Sequence, residues 1–112
     1  MDLTNKVCVV TGGANGIGKY IVKEFSKKGC SVAFIDIDKT NGKSLIDELN
    51  SEKHIFYHGD ISKKDVLNSF CDVVIQKYNK IDYLINNACI SKKGILSNCD
   101  FDDFNYVLNV GV

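Results

Sequence analysis

Thr11-Gly12-Gly13-Ala14-Asn15-Gly16-Ile17-Gly18 sets glycines at 12, 16 and 18 between a β-branched run and an amphipathic stretch. That spacing lets the chain turn tightly, brings backbone close to a ligand and packs a helix onto a strand. The first-turn N–H groups of such a helix point at an anion, and the helix dipole favours it. All 14 basic residues are lysines, so no guanidinium fork is available for phosphate. The backbone amides of this loop are the best phosphate cradle in the chain. Gly13-x-x-x-x-Gly18-Lys19 also matches most of a P-loop, whose lysine would reach the outer phosphates. That motif next needs a Ser or Thr on magnesium, and the chain has Tyr20. A bulky phenol cannot replace a small hydroxyl at the metal, so nucleotide hydrolysis is the lesser reading, as is a glycine turn that binds nothing.

Asp36 lies 18 residues beyond Gly18, close to the spacing at which an acid accepts the hydroxyls of an adenosine ribose. A carboxylate there also repels a 2′-phosphate, by roughly 3 kcal/mol per unit charge at about 5 Å and an effective dielectric near 20. Asn15 and Ile37, where a cation could rescue that phosphate, carry no charge. The expected cofactor is therefore NAD rather than NADP. Gly59-Asp60-Ile61 puts an acid and an apolar residue where an adenine would lie, Asp60 accepting from the exocyclic amine and Ile61 covering a ring face. His54 and His58 have no third ligand nearby in sequence and read as ordinary side chains, so no metal site is expected.

The elements that would position these residues follow from apolar patterning. Val7 to Val10, Ser31 to Asp36, His54 to His58 and Ile81 to Ile85 read as short buried strands. Between them, Gly16 to Lys28 repeats apolar residues at helical spacing and stops at Gly29. A second helix is capped by Thr40 or Asn41, and a third opens at a Ser62–Asp65 capping box. A last helix is expected from Asp100. Strands alternating with helices imply a doubly wound α/β fold, a parallel sheet in the order 3-2-1-4 with helices on both faces. Ligands of such sheets bind outside the carboxyl ends of the strands.

The 112 residues, with 14 acidic and 14 basic groups and no proline, describe one globular unit. The zero net charge argues against a nucleic-acid or anionic-membrane surface. The five cysteines (8, 30, 71, 89 and 99) include no C-x-x-C pair, and no apolar run resembles a signal peptide or reaches the length of a membrane span. Free thiols without an export signal point to the cytoplasm, where these cysteines serve as small buried hydrophobes.

Leu84-Ile85-Asn86-Asn87-Ala88 completes the set after the fourth strand. Thr11 to Gly18, the acid Asp36, Asp60-Ile61 and Asn86-Asn87-Ala88 together resemble the short-chain dehydrogenase/reductase family in its Rossmann-type branch. The resemblance covers essentially the whole chain. It implies that Gly12, Asn15, Gly16, Ile17 and Gly18 contact the diphosphate and ribose of NAD, that Asp36 and Ile37 flank the adenine ribose, and that Asp60 and Ile61 meet the adenine. Asn87 and Ala88 would sit by the nicotinamide-side ribose. The reaction implied is hydride transfer between NAD(H) and a small alcohol or carbonyl substrate, with a tyrosine phenolate exchanging the substrate proton. The complete family fold is implied to be a homo-oligomer.

Three departures qualify the resemblance. Cys89 replaces the last glycine of N-N-A-G, and Gly111 falls where the family places an asparagine. None of Tyr20, Tyr57, Tyr78, Tyr83 or Tyr106 begins a Tyr-x-x-x-Lys. The expectation is thus an NAD-binding N-terminal half, residues 1–112, with no catalytic residue of its own and with the fourth strand a bare edge. The alternative from another class is a stand-alone dinucleotide-binding or regulatory module.

Overall fold

A computed structural model describes residues 2–87 throughout, and the backbone of residues 90–91 and 94–95. β1 (Val7–Thr11), α1 (Gly16–Lys27), β2 (Ser31–Asp36), α2 (Lys39–Leu49), β3 (Ile55–His58), α3 (Lys64–Tyr78) and β4 (Tyr83–Asn86) alternate along the chain. The four strands form one parallel sheet in the order β3-β2-β1-β4, as expected. A short antiparallel pair, β5 (Ile90–Ser91) and β6 (Gly94–Ile95), follows; the sequence pattern did not announce it. The helix expected from Asp100 lies outside the described residues, as do Ala88, Cys89, Cys99 and Gly111.

Successive side chains of a strand point to opposite faces, so β1 and β2 each feed two cores. On one face Cys8, Val10, Val32 and Phe34 pack with Val22 of α1 and Leu45 of α2. On the other, Val9, Ala33 and Ile35 meet Phe70 and Val74 of α3. Full burial of side chains such as Phe34, Ile35 or Val22 is worth about 1.5–3 kcal/mol each. With apolar residues required on both faces, β1 and β2 are continuous hydrophobic runs, which is why they are the most legible elements in the sequence.

The helix starts differ from expectation for identifiable reasons. Asp38, not Thr40 or Asn41, caps α2, its side chain accepting from the Asn41 N–H at 3.0 Å. The Ser62–Asp65 box does not form. Ser62 instead gives its N–H and its Oγ to Asp60 Oδ1, at 2.9 and 2.7 Å, and α3 opens two residues later with Lys63 at its cap position. β4 begins at Tyr83 rather than Ile81, because its ladder with β1 starts at Cys8 opposite Tyr83 while Ile81 packs beside α3. His54 precedes β3 because its imidazole turns inward, Nδ1 accepting from the Val32 N–H at 3.1 Å.

Candidate functional site

In register, Thr11 stands opposite Ile35 and Asn86, and Asp36 opposite His58. The loops that follow β1, β2, β3 and β4 therefore open at one end of the sheet. They carry the described residues singled out for the cofactor, from Gly12 to Asn87.

The glycine loop is built by close contacts. Gly12 adopts φ +69°, a left-handed conformation that disfavours side chains, and its N–H donates to Ile35 O at 2.8 Å. Gly18 lies so near this turn that a Cβ would stand 1.9 Å from Gly12 O and 2.7 Å from Asn87 Nδ2. Only glycine lets α1 start this close to β1. Asn15 is the cap residue of α1, and its carbonyl accepts the first helical bond, from the Lys19 N–H at 3.2 Å. Its side chain caps nothing in α1, and the first turn holds no acid. Among the described residues the amides of Ile17 and Gly18 have no acceptor, so the positive end of the helix faces outward. Ile17 is 71% exposed beside it.

Asp36 joins the second loop to the first. Its Oδ2 accepts from the Ala14 N–H and its Oδ1 from the Asp38 N–H, each at 2.9 Å. A carboxylate offers about four acceptor positions, so two remain after these bonds. Ile37 is 54% exposed at its side, and Asn15 Nδ2 reaches Asp38 Oδ2 at 2.9 Å. Asp36 and Asp38 both bring negative charge to this cluster. Hydrogen bonds donated to the Asp38 carboxylate, first by the Asn41 backbone N–H and next by the Asn15 side chain, hold its carboxyl below the usual range.

The third loop is less closely tied in. The Gly59 N–H donates to Asp36 O at 3.1 Å, which brings Asp60 beside the second loop. The Asp60 carboxylate turns to Ser62, whose hydroxyl and N–H lower its pKa. Ile61 is partly buried on the α3-side core. His58 Nε2 lies 3.1 Å from Ile37 O and must donate, since a carbonyl only accepts. The fourth loop is locked onto the first by a buried network. Thr11 Oγ1 donates to Asn86 Oδ1 at 2.8 Å and accepts from the Asn87 N–H at 3.1 Å, while Asn87 Nδ2 donates to Gly12 O at 3.0 Å. Asn87 is thereby placed beside Gly12 and Gly18. Thr11 and Asp38 are the site residues whose structural parts the sequence reasoning missed. A hydroxyl ending a strand register-matched to an asparagine is a pairing that only the sheet order reveals.

What is present suits binding rather than covalent chemistry. Burial raises the thiol pKa of Cys30 and Cys71 and pushes that of Cys8 up to about 12. Burial likewise pushes the Tyr78 phenol up to about 12, against the direction a phenolate base requires. Among the described residues no group of three His, Cys, Asp or Glu side chains could hold a metal ion, and no helix is long and apolar enough to cross a membrane. An apolar cleft of about 340 Å³ between Leu3, Phe25 and Tyr83 lies at the opposite, amino-terminal end of the strands. It shares no residue with this set.

The geometry fits a family identified by comparison. The family model described as short chain dehydrogenase matches residues 6–112. The chain is 36% identical, over its whole length, to the 3-oxoacyl-(acyl-carrier-protein) reductase FabG of Thermotoga maritima, of which it covers 46%. It is 34% identical over 98% of its length to the xanthoxin dehydrogenase of Arabidopsis thaliana, covering 41% of that protein. Its fold superposes with a TM-score of 0.73 on the crystal structure of the 3-ketoacyl-(acyl-carrier-protein) reductase of Brucella melitensis complexed with NADH, at 25% identity, covering 97% of this chain and 45% of that one. The chain spans less than half the length of these relatives. With the parallel 3-2-1-4 sheet, the glycine loop and the acid after β2 all in place, the chain belongs to the short-chain dehydrogenase family.

Proposed function

We propose that this chain is the dinucleotide-binding half of an NAD(H)-dependent oxidoreductase that interconverts a small alcohol and its carbonyl compound. The observation that carries the reading is the uncapped start of α1, held one hydrogen bond away from Asp36 through Ala14. A dinucleotide presents the two complementary features: a diphosphate for the helix amides and a neutral diol for the carboxylate. The residues present therefore suit the cofactor. Gly16, Ile17 and Gly18 would hold the diphosphate through their backbone N–H groups, Gly12, whose own N–H is bonded to Ile35 O, would shape the turn against the cofactor, and Asn15 lines its rim. Asp36 would take the adenine ribose with its two unused acceptor positions, Ile37 lying beside it. Asp60 and Ile61 would border the adenine, and Asn87 with Ala88 the nicotinamide-side ribose.

Bound there, the nicotinamide ring supplies or accepts the hydride. The residues of this chain orient it. They hold no group for the accompanying proton, because no Tyr-x-x-x-Lys occurs between residues 1 and 112. Residues 1–112 by themselves should bind dinucleotide weakly and turn over no alcohol. NAD is preferred to NADP because Asp36 and Asp38 bring two negative charges to the ribose side. The buried, unpaired thiols Cys8 and Cys30 agree with a reducing compartment such as the cytoplasm.

Titration of the protein with NADH, NADPH and ATP, with and without magnesium, tests the reading. NADH binding ahead of NADPH, without dependence on magnesium, is expected. Magnesium-dependent ATP binding ahead of both would replace it with the nucleotide-hydrolase alternative, and binding of none would end it.

A further inference from the structure

An asparagine at a helix cap ordinarily turns its side-chain oxygen onto the N–H of the second or third helical residue. Asn15 does not, and the reason lies on a different element. Its Nδ2 donates to Asp38 Oδ2 at 2.9 Å, and its Oδ1 accepts from Asn41 Nδ2 at 2.8 Å. Both polar ends of the carboxamide are therefore taken by the start of α2. Asn41 Nδ2 also reaches Asp38 Oδ2 at 2.7 Å, which closes a three-residue ring of bonds. The two amides that Asn15 would otherwise cap, those of Ile17 and Gly18, are left open.

We propose that Asp38 and Asn41 are positioning residues that hold the Asn15 carboxamide off the N-terminus of α1, so that the Ile17 and Gly18 amides stay free for the diphosphate. The inference rests on the dinucleotide reading above. Without the clamp, Asn15 becomes an internal competitor, since its Oδ1 bonds the same donors the diphosphate needs. A negative Asp38 suits the task, because a carboxylate accepts from Asn15 and Asn41 together. It also caps α2 through its other oxygen, Oδ1, which accepts from the Asn41 backbone.

Two variants release the clamp while preserving the cap of α2. Asn41→Ala leaves the Asp38 bond to the residue-41 backbone intact. Asp38→Ser keeps a capping hydroxyl but is too short to reach Asn15. The first readout needs no ligand: amide hydrogen exchange at Ile17 and Gly18. These amides should exchange freely in the unsubstituted protein and become about fivefold more protected in either variant, as Asn15 swings in to cap. The second is NADH affinity, which should weaken about fivefold in Asn41→Ala but not change further when Asn41→Ala is added to Asn15→Gly. Unchanged exchange at both amides, or an equal loss of NADH affinity in the two backgrounds, would overturn the proposal. The latter is what a merely structural loosening of α2 would produce. Failure of the unsubstituted protein to bind NADH would instead overturn the dinucleotide reading, and the exchange pattern would still decide whether the clamp exists.

Discussion

Asp36 accepts the Ala14 N–H at 2.9 Å, so the acid that ends β2 is part of the loop that follows β1. The acid after β2 and the glycine loop after β1 are one hydrogen-bonded unit. A carboxylate already oriented by two backbone donors needs little reorganisation to receive a diol, and its ligand meets a preformed surface.

Asp36→Ala is expected to act twice. It removes the acceptor proposed for the ribose and the anchor of the loop, so NADH affinity should fall by roughly tenfold to a hundredfold. It also removes the repulsion of a 2′-phosphate, so NADPH should lose far less or gain. The ratio of the two dissociation constants is the measurement. A ratio unmoved by the substitution would show that Asp36 is a water-facing strand end with no part in selectivity.

Gly18→Ala places a methyl 1.9 Å from Gly12 O, where the neighbour is backbone that cannot step aside. Overpacking of this sort costs about 1–3 kcal/mol, and the displaced helix start should abolish dinucleotide binding. Gly16→Ala is the informative contrast. Its Cβ meets nothing within 4 Å, leaving only the strain of φ +55°, about 1–2 kcal/mol. Thermal melts of the two variants should therefore rank Gly18→Ala as the more damaging, and the reverse order would contradict the close approach of α1 to β1.

Thr11→Val keeps the shape of a β-branched strand residue and deletes one hydroxyl. That hydroxyl serves Asn86 Oδ1 and the Asn87 N–H, and Thr11 is only 1% exposed. Stranding buried partners costs about 1–3 kcal/mol. Thr11→Ser should recover most of it, because the oxygen returns even though the methyl does not. Urea denaturation of the pair checks this; equal losses would assign the effect to packing and not to the network.

Much of this site was legible because its glycines and acids sit at the ends of strands that must be hydrophobic on both faces. Val7–Val10 and Ser31–Asp36 could hardly be anything else, and they fix where Gly12 and Asp36 lie. Asp38 was harder to read. In Asp38-Lys39-Thr40-Asn41 three residues can each cap a helix, and only the Asx bond to the residue-41 amide selects the first. The Ser62–Asp65 box misled for a related reason. Asp60 competes for the same hydroxyl and wins through a two-residue turn, and local alternatives of that kind leave no periodic trace. The Thr11–Asn86 pairing joins residues 75 apart in sequence and depends on β1 and β4 being neighbours.

His54 should give the protein a pH-dependent stability separate from the site. The imidazole is 6% exposed and neutral, with Nδ1 accepting from the Val32 N–H and Nε2 3.2 Å from Ser26 Oγ. Burial, with Lys53 and Lys77 adding repulsion, lowers its pKa from an ordinary 6.5 to about 4. Because the folded pKa is depressed, the unfolded chain takes up the proton first as pH falls. The contribution is complete above about pH 6.5 and is lost progressively down to about pH 4, for a total of about 3 kcal/mol. His54→Gln can still accept from Val32 but cannot titrate. Its stability should be flatter than that of the unsubstituted protein between pH 6.5 and 4, with the two curves running parallel above that window. Identical slopes between pH 6.5 and 4 would mean that the imidazole is hydrated enough to charge in the folded state, and that the bond to Val32 does not hold it neutral.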